Sequence, residues 1–155
     1  MTEALRILIV EARFYEDIAD ELFKGAVAAI EEIGAGYERV SVPGVFEIPT
    51  AVSIALEGKN RPAGGMSFDG VVALGCVIRG ETSHYDIVAG ESARALMDIA
   101  TDDFIAMGNG ILTVDTHEQA KVRSDASGKD KGGDAARACI ALIDIKARFG
   151  LVRPR

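Results

Sequence analysis

Hydrophobic positions along the chain alternate between short apolar runs and longer stretches in which apolar residues lie three or four apart. Continuous apolar runs are typical of strands that are buried on both faces of a parallel sheet. Spacings of three and four place side chains on one face of a helix. Continuous apolar runs predict strands at residues 5–10 and 70–78, and residues 37–42 and 105–114 also read as strands.

The helical spacing predicts a helix after each strand, and local signals mark several helix ends. Gly34 and Gly150 follow the first and last helices as C-terminal stops, and Thr116 and Gln119 form a T-x-x-Q capping box. The predicted helices cover about residues 17–33, 49–57, 83–102, a stretch from 116 and 131–149, the last with Cys139, Leu142, Ile143 and Ala147 inward. Residues 58–67 read as a polar Gly/Pro loop.

Strands that alternate with helices indicate a parallel sheet with helices on both faces. We therefore expect an α/β fold, a flavodoxin-like three-layer sandwich with a four-stranded parallel sheet. A length of 155 residues fits a single domain over residues 1–155.

Composition narrows the possible partners. Apolar residues make up 48% of the chain and the mean hydropathy is +0.17, so some surface is expected to be buried by helices or by other subunits. With 17 basic and 24 acidic residues the net charge is −7. An acidic chain without a basic stripe argues against binding to nucleic acid or to an anionic membrane.

Cysteine usage and the N-terminus indicate a cytoplasmic protein. Cys76 and Cys139 lie far apart and form no C-x-x-C motif, so both are expected to be reduced core residues. The apolar run at residues 5–10 is too short for a signal peptide or a membrane span.

Ligands of open parallel sheets bind outside the carboxyl ends of the strands. Those ends are expected at residues 11–15, 43–47, 76–84 and 113–116. Common catalytic devices are missing there, since the sequence has no G-x-G-x-x-G, no complete P-loop, no G-x-S-x-G and too few His and Cys residues for an ordinary zinc site.

The segment GETSHYD, after the third strand, carries the strongest remaining signal. Ser83 and Asp86 form an S-x-x-D cap candidate, and free N–H groups at a helix start bind anions together with hydroxyls such as that of Thr82. His84 lies in the first turn, where the positive helix end favours a neutral, proton-accepting ring. The same pattern also fits an ordinary helix cap with a solvated histidine.

The other candidates also have structural explanations. Phe14 could be a core aromatic, Glu47 a first-turn carboxylate, and Arg123 and Lys131 solvated charges at helix ends. His117 reads as a surface residue within the capping box, and Arg79 as a structural ion-pair residue, within the chain or between subunits.

Five segments, taken together and in order, resemble the lumazine synthase family. They are VPGVFEIP (42–49), ALGCVIRGETSHYD (73–86), GILT (110–113), EQAKVR (118–123) and DKGGDAA (130–136). The resemblance spans about residues 5–149. It implies an enzyme of riboflavin biosynthesis that condenses 5-amino-6-(D-ribitylamino)uracil with 3,4-dihydroxy-2-butanone 4-phosphate and releases 6,7-dimethyl-8-ribityllumazine and phosphate, with no metal or redox cofactor.

The resemblance also implies a role for each matching position. His84 matches the proton-transfer residue, and the site lies between neighbouring subunits of a homopentamer or a multiple of pentamers. The implied substrate-binding residues are Phe14 at the pyrimidine ring; Val45, Phe46 and Glu47 at the ribityl chain; Cys76, Val77 and Ile78 at the pyrimidine edge; Glu81, Thr82 and Arg123 at the phosphate; and Lys131 nearby, with Asn109, Arg123 and Lys131 coming from the adjacent chain.

Some positions depart from the family's usual residues. Glu81 stands where alanine is usual, Asn109 where an aromatic is usual, and Tyr15 where asparagine is common. A carboxylate beside a phosphate is unfavourable unless it turns away. Glu81 and Asn109 therefore keep two alternatives open, a flavin- or lumazine-binding paralogue and a shell-forming paralogue with reduced turnover.

Overall fold

The computed structural model describes residues 4–58 and 67–151. Its strands are β1 (Arg6–Ala12), β2 (Gly36–Val42), β3 (Gly70–Ile78) and β4 (Met107–Val114). Its helices are α1 (Glu16–Glu32), α2 (Ile48–Gly58), α3 (His84–Asp102), α4 (His117–Ser124) and α5 (Lys131–Arg148), with a 3-10 turn at Val45–Glu47.

The four strands form one parallel sheet in the order β2-β1-β3-β4. Helices α1, α4 and α5 pack against one face, and α2 and α3 against the other. Each face has its own apolar cluster, because successive side chains of a strand point to opposite sides. In β1, Ile7 and Ile9 face α1, whereas Leu8 and Val10 face α2. The predicted three-layer α/β sandwich is confirmed.

Several predicted element ends are confirmed. Strand β3 has the predicted bounds, and Gly34 and Gly150 have the positive φ values, 75° and 78°, of residues that end helices. The Thr116 side chain accepts from the backbone N–H of Gln119, and the Gln119 side chain accepts from that of Thr116, so both halves of the capping box are present.

Three expectations about helices are wrong. Leu142 and Ala147 on α5 are exposed, because the buried stripe of that helix runs through Ala136, Cys139 and Ile143 instead. Ser83 makes no side-chain hydrogen bond at the start of α3, since its backbone is already helical (φ −74°, ψ 0°) rather than extended.

Three further observations concern the predicted loop, strand β2 and membrane spans. The predicted Gly/Pro loop lies outside the described residues at positions 59–66. Strand β2 forms one edge of the sheet and is mostly exposed. No helix within residues 4–58 and 67–151 is long and apolar enough to cross a membrane.

Candidate active site

The segments that follow β1, β2 and β3 surround one pocket of about 460 Å³. It lies at the carboxyl edge of the sheet, where the chain leaves β1 and β3 towards opposite faces, as expected for the switch point of an open parallel sheet. The lining residues are Phe14, Tyr15, Pro43, Gly44, Val45, Phe46, Glu47, Cys76, Val77, Ile78, His84 and Val88.

Two aromatic rings form the β1 side of the pocket. Phe14 is 74% exposed, so it is not the core aromatic that its position also allowed. Its ring meets the ring of Tyr15 edge to face, with centroids 4.9 Å apart. Tyr15 is half-buried, and burial raises the pKa of its hydroxyl. An exposed ring braced at its edge leaves one face free to stack on a flat ligand.

The segment after β2 supplies a second wall. Gly44 is extended, and the chain then enters the 3-10 turn that contains Val45, Phe46 and Glu47. Val45 is buried at 5% exposure, whereas Phe46 is 54% exposed. A Cβ at Gly44 would lie 3.3 Å from Glu47 Oε1, so the glycine leaves room for that carboxylate at the pocket.

The end of β3 forms the floor. A Cβ at Gly75 would lie 2.7 Å from Val45 Cγ2, so this glycine allows the β2 wall to pack closely on β3. Burial raises the pKa of the Cys76 thiol to about 12, which keeps it protonated. A protonated, buried thiol fits a role for Cys76 through its backbone rather than through sulfur chemistry.

The start of α3 brings His84 to the pocket. The His84 backbone N–H donates to Thr82 Oγ1 at 3.3 Å, so the Thr82 hydroxyl binds the first N–H of the helix. Arg79 fixes this turn within the chain, since its guanidinium pairs with Asp115 at 3.1 Å and with Asp86 at 3.6 Å. It also lies 4.2 Å above the ring of Tyr85. The Arg79 ion pairs are thus accounted for without a second subunit.

Glu81 and Thr82 are exposed beside the pocket but are not part of its lining. The helix α3 begins directly after them, so its N-terminal N–H groups lie at the same place. Among the residues that line the pocket, the ionisable side chains are Tyr15, Glu47, Cys76 and His84, none of which is a lysine or an arginine.

Three predicted site residues lie elsewhere on the chain. Asn109 pairs with Ala73 near the start of β4, five residues before the end of that strand, which is about 16 Å from that end. Arg123 is in the last turn of α4, where its Nη1 donates to Gln119 O at 3.1 Å. Lys131 begins α5, on the opposite face of the sheet from the α2 and α3 layer, and pairs with Asp134 at 3.5 Å.

Four lining residues were not among the predicted site residues. They are Tyr15, Pro43, Gly44 and Val88. Tyr15, Pro43 and Gly44 lay within the predicted strand-end segments, so their position was available as a signal. Val88 lies within the predicted helix over residues 83–102, one turn after His84. His117, expected at the surface, is partly exposed, pairs with Asp17 at 2.8 Å and lowers the pKa of that carboxyl.

A sandwich with a ligand-sized pocket at the carboxyl edge, lined by aromatic rings, a carboxylate and a histidine, belongs to the α/β proteins that bind small molecules at strand ends. The family model for 6,7-dimethyl-8-ribityllumazine synthase matches residues 4–147. The chain therefore belongs to the lumazine synthase family.

Individual relatives agree with the family match. The chain is 56% identical over 146 residues to 6,7-dimethyl-8-ribityllumazine synthase 1 of Rhizobium meliloti (strain 1021), covering 94% of both chains. It is 59% identical over 146 residues to the synthase of Methylorubrum populi, covering 94% of this chain and 85% of that one. It is 55% identical over 144 residues to the synthase of Agrobacterium fabrum (strain C58), covering 93% and 96%.

Proposed function

We propose that this protein condenses 5-amino-6-(D-ribitylamino)uracil with 3,4-dihydroxy-2-butanone 4-phosphate to 6,7-dimethyl-8-ribityllumazine and phosphate. The observation that best supports the proposal is that one pocket contains the exposed Phe14 ring, the Glu47 carboxylate and His84. It offers a stacking surface, an acceptor for hydroxyls and a proton-transfer group in a family whose relatives bear the name of this synthase.

The pyrimidine would bind between Phe14 and the end of β3. Stacking on the exposed ring orients the uracil, and backbone groups of Cys76, Val77 and Ile78 reach its edge. The ribityl chain would extend along Val45 and Phe46, with its hydroxyls donating to the Glu47 carboxylate. This placement aims the 5-amino group at the start of α3.

The butanone phosphate would bind at that helix start. Backbone N–H groups and the Thr82 hydroxyl favour an anion there, and Glu81 must turn its carboxylate towards solvent. Because no lysine or arginine lines the pocket within the described chain, a cation from outside it is required for a fully paired phosphate. Arg123 and Lys131 of an adjacent subunit would supply it.

His84 would transfer the protons of the condensation. The amino nitrogen attacks the ketone carbon, and the carbinolamine loses water when its oxygen is protonated. Removal of the proton on the carbon next to the imine expels the phosphate and leaves an enol, which tautomerises to a ketone. Attack of the ribitylamino nitrogen on that ketone carbon closes the ring with loss of water. A histidine at the pocket rim can give and take these protons while the bound geometry supplies the rest of the catalysis.

A homopentamer, or a multiple of pentamers, would complete each site. The supporting observation is a set of large apolar side chains that remain exposed on the single chain, beside the pocket and on α2 and α3. They are Phe14 at 74%, Phe46 at 54%, Ile54 at 67%, Ile87 at 52% and Met97 at 63% exposed. Surfaces of this kind mark protein interfaces. A cytoplasmic location remains a prediction from the sequence.

The proposal is tested by mixing the purified protein with both substrates and following lumazine absorbance together with phosphate release. Product should form faster than in a protein-free control, which is needed because the uncatalysed condensation is feasible. Binding of the pyrimidine substrate without any gain in rate would instead support the binding or shell-forming paralogue that Glu81 and Asn109 leave open.

Arg123→Ala is expected to weaken the phosphate substrate selectively. Loss of a charge-assisted hydrogen bond worth about 1.5 kcal/mol or more should raise the apparent KM for butanone phosphate at least about 10-fold. Steady-state kinetics should show this with the KM for the pyrimidine unchanged. Lys121→Ala is the matched control, because Lys121 is an exposed cation on the same helix. Equal effects of both variants, or none for Arg123→Ala, would show that the anion site is elsewhere.

A further inference from the structure

Glu11 is the one buried charged residue among those that the structure describes, with 1% of its surface exposed. It lies near the carboxyl end of β1 and does not line the pocket. A buried carboxylate is costly unless charged or hydrogen-bonding groups surround it. Glu11 has such partners, and the pocket residues proposed above do not require it for chemistry.

Both carboxylate oxygens of Glu11 are occupied. Oε1 accepts from Arg13 Nη1 at 2.9 Å, and Oε2 accepts from Arg39 Nε and from Ser41 Oγ at 3.2 Å. Arg13 also donates to Asp20 on α1 at 2.5 Å. We call Glu11, Arg13, Asp20, Arg39 and Ser41 the Glu11 cluster.

Strand register explains why these groups meet. Glu11 lies directly opposite Ser41, and Arg39 lies opposite Ile9, two residues earlier. Residues two apart on a strand share a face, so all of them point towards α1. There the Arg39 guanidinium lies 3.8 Å above the ring of Phe23. The cluster therefore sits beneath the sheet edge, on the side opposite the α2 and α3 layer.

The two strands that the Glu11 cluster joins are the ones that lead into two pocket walls. Arg13 immediately precedes Phe14, and Ser41 precedes Pro43 and Gly44 by two and three residues. The Arg13 N–H also donates to Val42 O at 3.4 Å, at the last point where the strands touch. Phe14 is 74% exposed, so apart from its edge-to-face contact with Tyr15 the position of its ring depends on the backbone that leaves Arg13.

We propose that Glu11 is a positioning residue for the pyrimidine substrate, which holds the Phe14 wall and the Val45–Glu47 wall at a fixed separation by pinning the ends of β1 and β2. The proposal rests on the proposed function, since it takes those two walls as the pyrimidine and ribityl site. The butanone phosphate site, at the start of α3, lies on a segment that the Glu11 cluster does not contact.

Glu11→Gln tests this with little change of shape. The amide can accept through one oxygen only, so one of the two arginines loses its hydrogen bond to residue 11. We expect the KM for the pyrimidine to rise about 10-fold, while kcat and the KM for butanone phosphate change by less than about 3-fold. Calorimetric binding of the pyrimidine alone should weaken to the same extent.

Two comparisons separate positioning from loss of stability. Ile7→Ala removes a fully buried side chain from the same face and the other end of β1, so it should lower the melting temperature without raising the pyrimidine KM. Arg39→Lys, which keeps the charge, should retain most of the affinity that Arg39→Met loses. Equal KM changes in Ile7→Ala and Glu11→Gln would reduce the cluster to a purely structural role and overturn the proposal.

Other measurements also decide whether Glu11 is a positioning residue. If Glu11→Gln does not fold, an unchanged pyrimidine affinity in Arg39→Met overturns the positioning role. If the wild-type protein forms no lumazine but binds the pyrimidine, the proposed reaction fails while the binding comparison still tests Glu11. If the wild-type protein does not bind the pyrimidine, both proposals are wrong.

Discussion

Replacement of Gly108 by alanine is expected to destabilise the protein by about 3 kcal/mol or more, the upper range for overpacking a filled core. Gly108 is buried in β4, and a Cβ there would lie 1.8 Å from the carbonyl oxygen and 2.7 Å from the carbonyl carbon of Ala135. Both atoms belong to the backbone of α5, so no side-chain rotation can relieve the clash. The strand and the helix would have to move apart.

Denaturant unfolding measures the loss, and Gly36→Ala is the matched control. Gly36 is also a strand glycine, but a Cβ there would meet nothing within 4 Å. Its replacement should leave the free energy of unfolding within about 1 kcal/mol of the wild-type value, the range of strand propensities. If Gly108→Ala were as stable as Gly36→Ala, the close packing of β4 against α5 would be wrong.

The sequence did not predict the close contact between β4 and α5, although it did predict the α/β sandwich. Burial on both faces makes a parallel strand almost wholly apolar, which is why Gly70–Ile78 was predicted with the observed bounds. The alternation of such runs with stretches of helical spacing was enough to predict a parallel sheet with helices on both faces. Which glycine faces a backbone carbonyl depends on the distance between two elements, and that distance is not encoded in any local pattern.

The errors in α5 and α3 have the same origin. Leu142 and Ala147 fit one face of a helix as well as Ile143 does, and only the packing against α1 and β4 decides which of them is buried. Ser83 matched an N-cap by residue type, but its backbone conformation is helical and its side chain makes no cap hydrogen bond, while Thr82 accepts from the N–H of His84. Local propensity was overridden by tertiary structure in both places.

Only part of the candidate site could be predicted from the ends of the strands. Carboxyl strand ends alone predicted the regions of Phe14, Glu47 and His84, and the structure brings these residues to one pocket. Arg123 and Asn109 follow no such rule, since they lie away from that pocket on their own chain. The Glu11 cluster was invisible because its members are separated by up to 30 residues and meet only through the register of β1 and β2.

His84→Ala is expected to lower kcat about 100-fold, the middle of the range for loss of a general acid–base group. His84 lines the pocket as the first residue of α3, where both the amino nitrogen and the phosphate substrate would be within its reach. Because stacking and anion binding use other groups, the KM values should change by only a few-fold. Stopped-flow measurement of lumazine formation would give kcat directly.

The second histidine supplies the control for that experiment. His117 does not line the pocket and pairs with Asp17, so His117→Ala should keep kcat within about 3-fold of the wild-type value. A factor of 100 corresponds to about 2.7 kcal/mol of transition-state stabilisation. If His84→Ala lost only a few-fold, less than about 1 kcal/mol would come from proton transfer at this residue, and positioning of the two substrates would account for most of the catalysis.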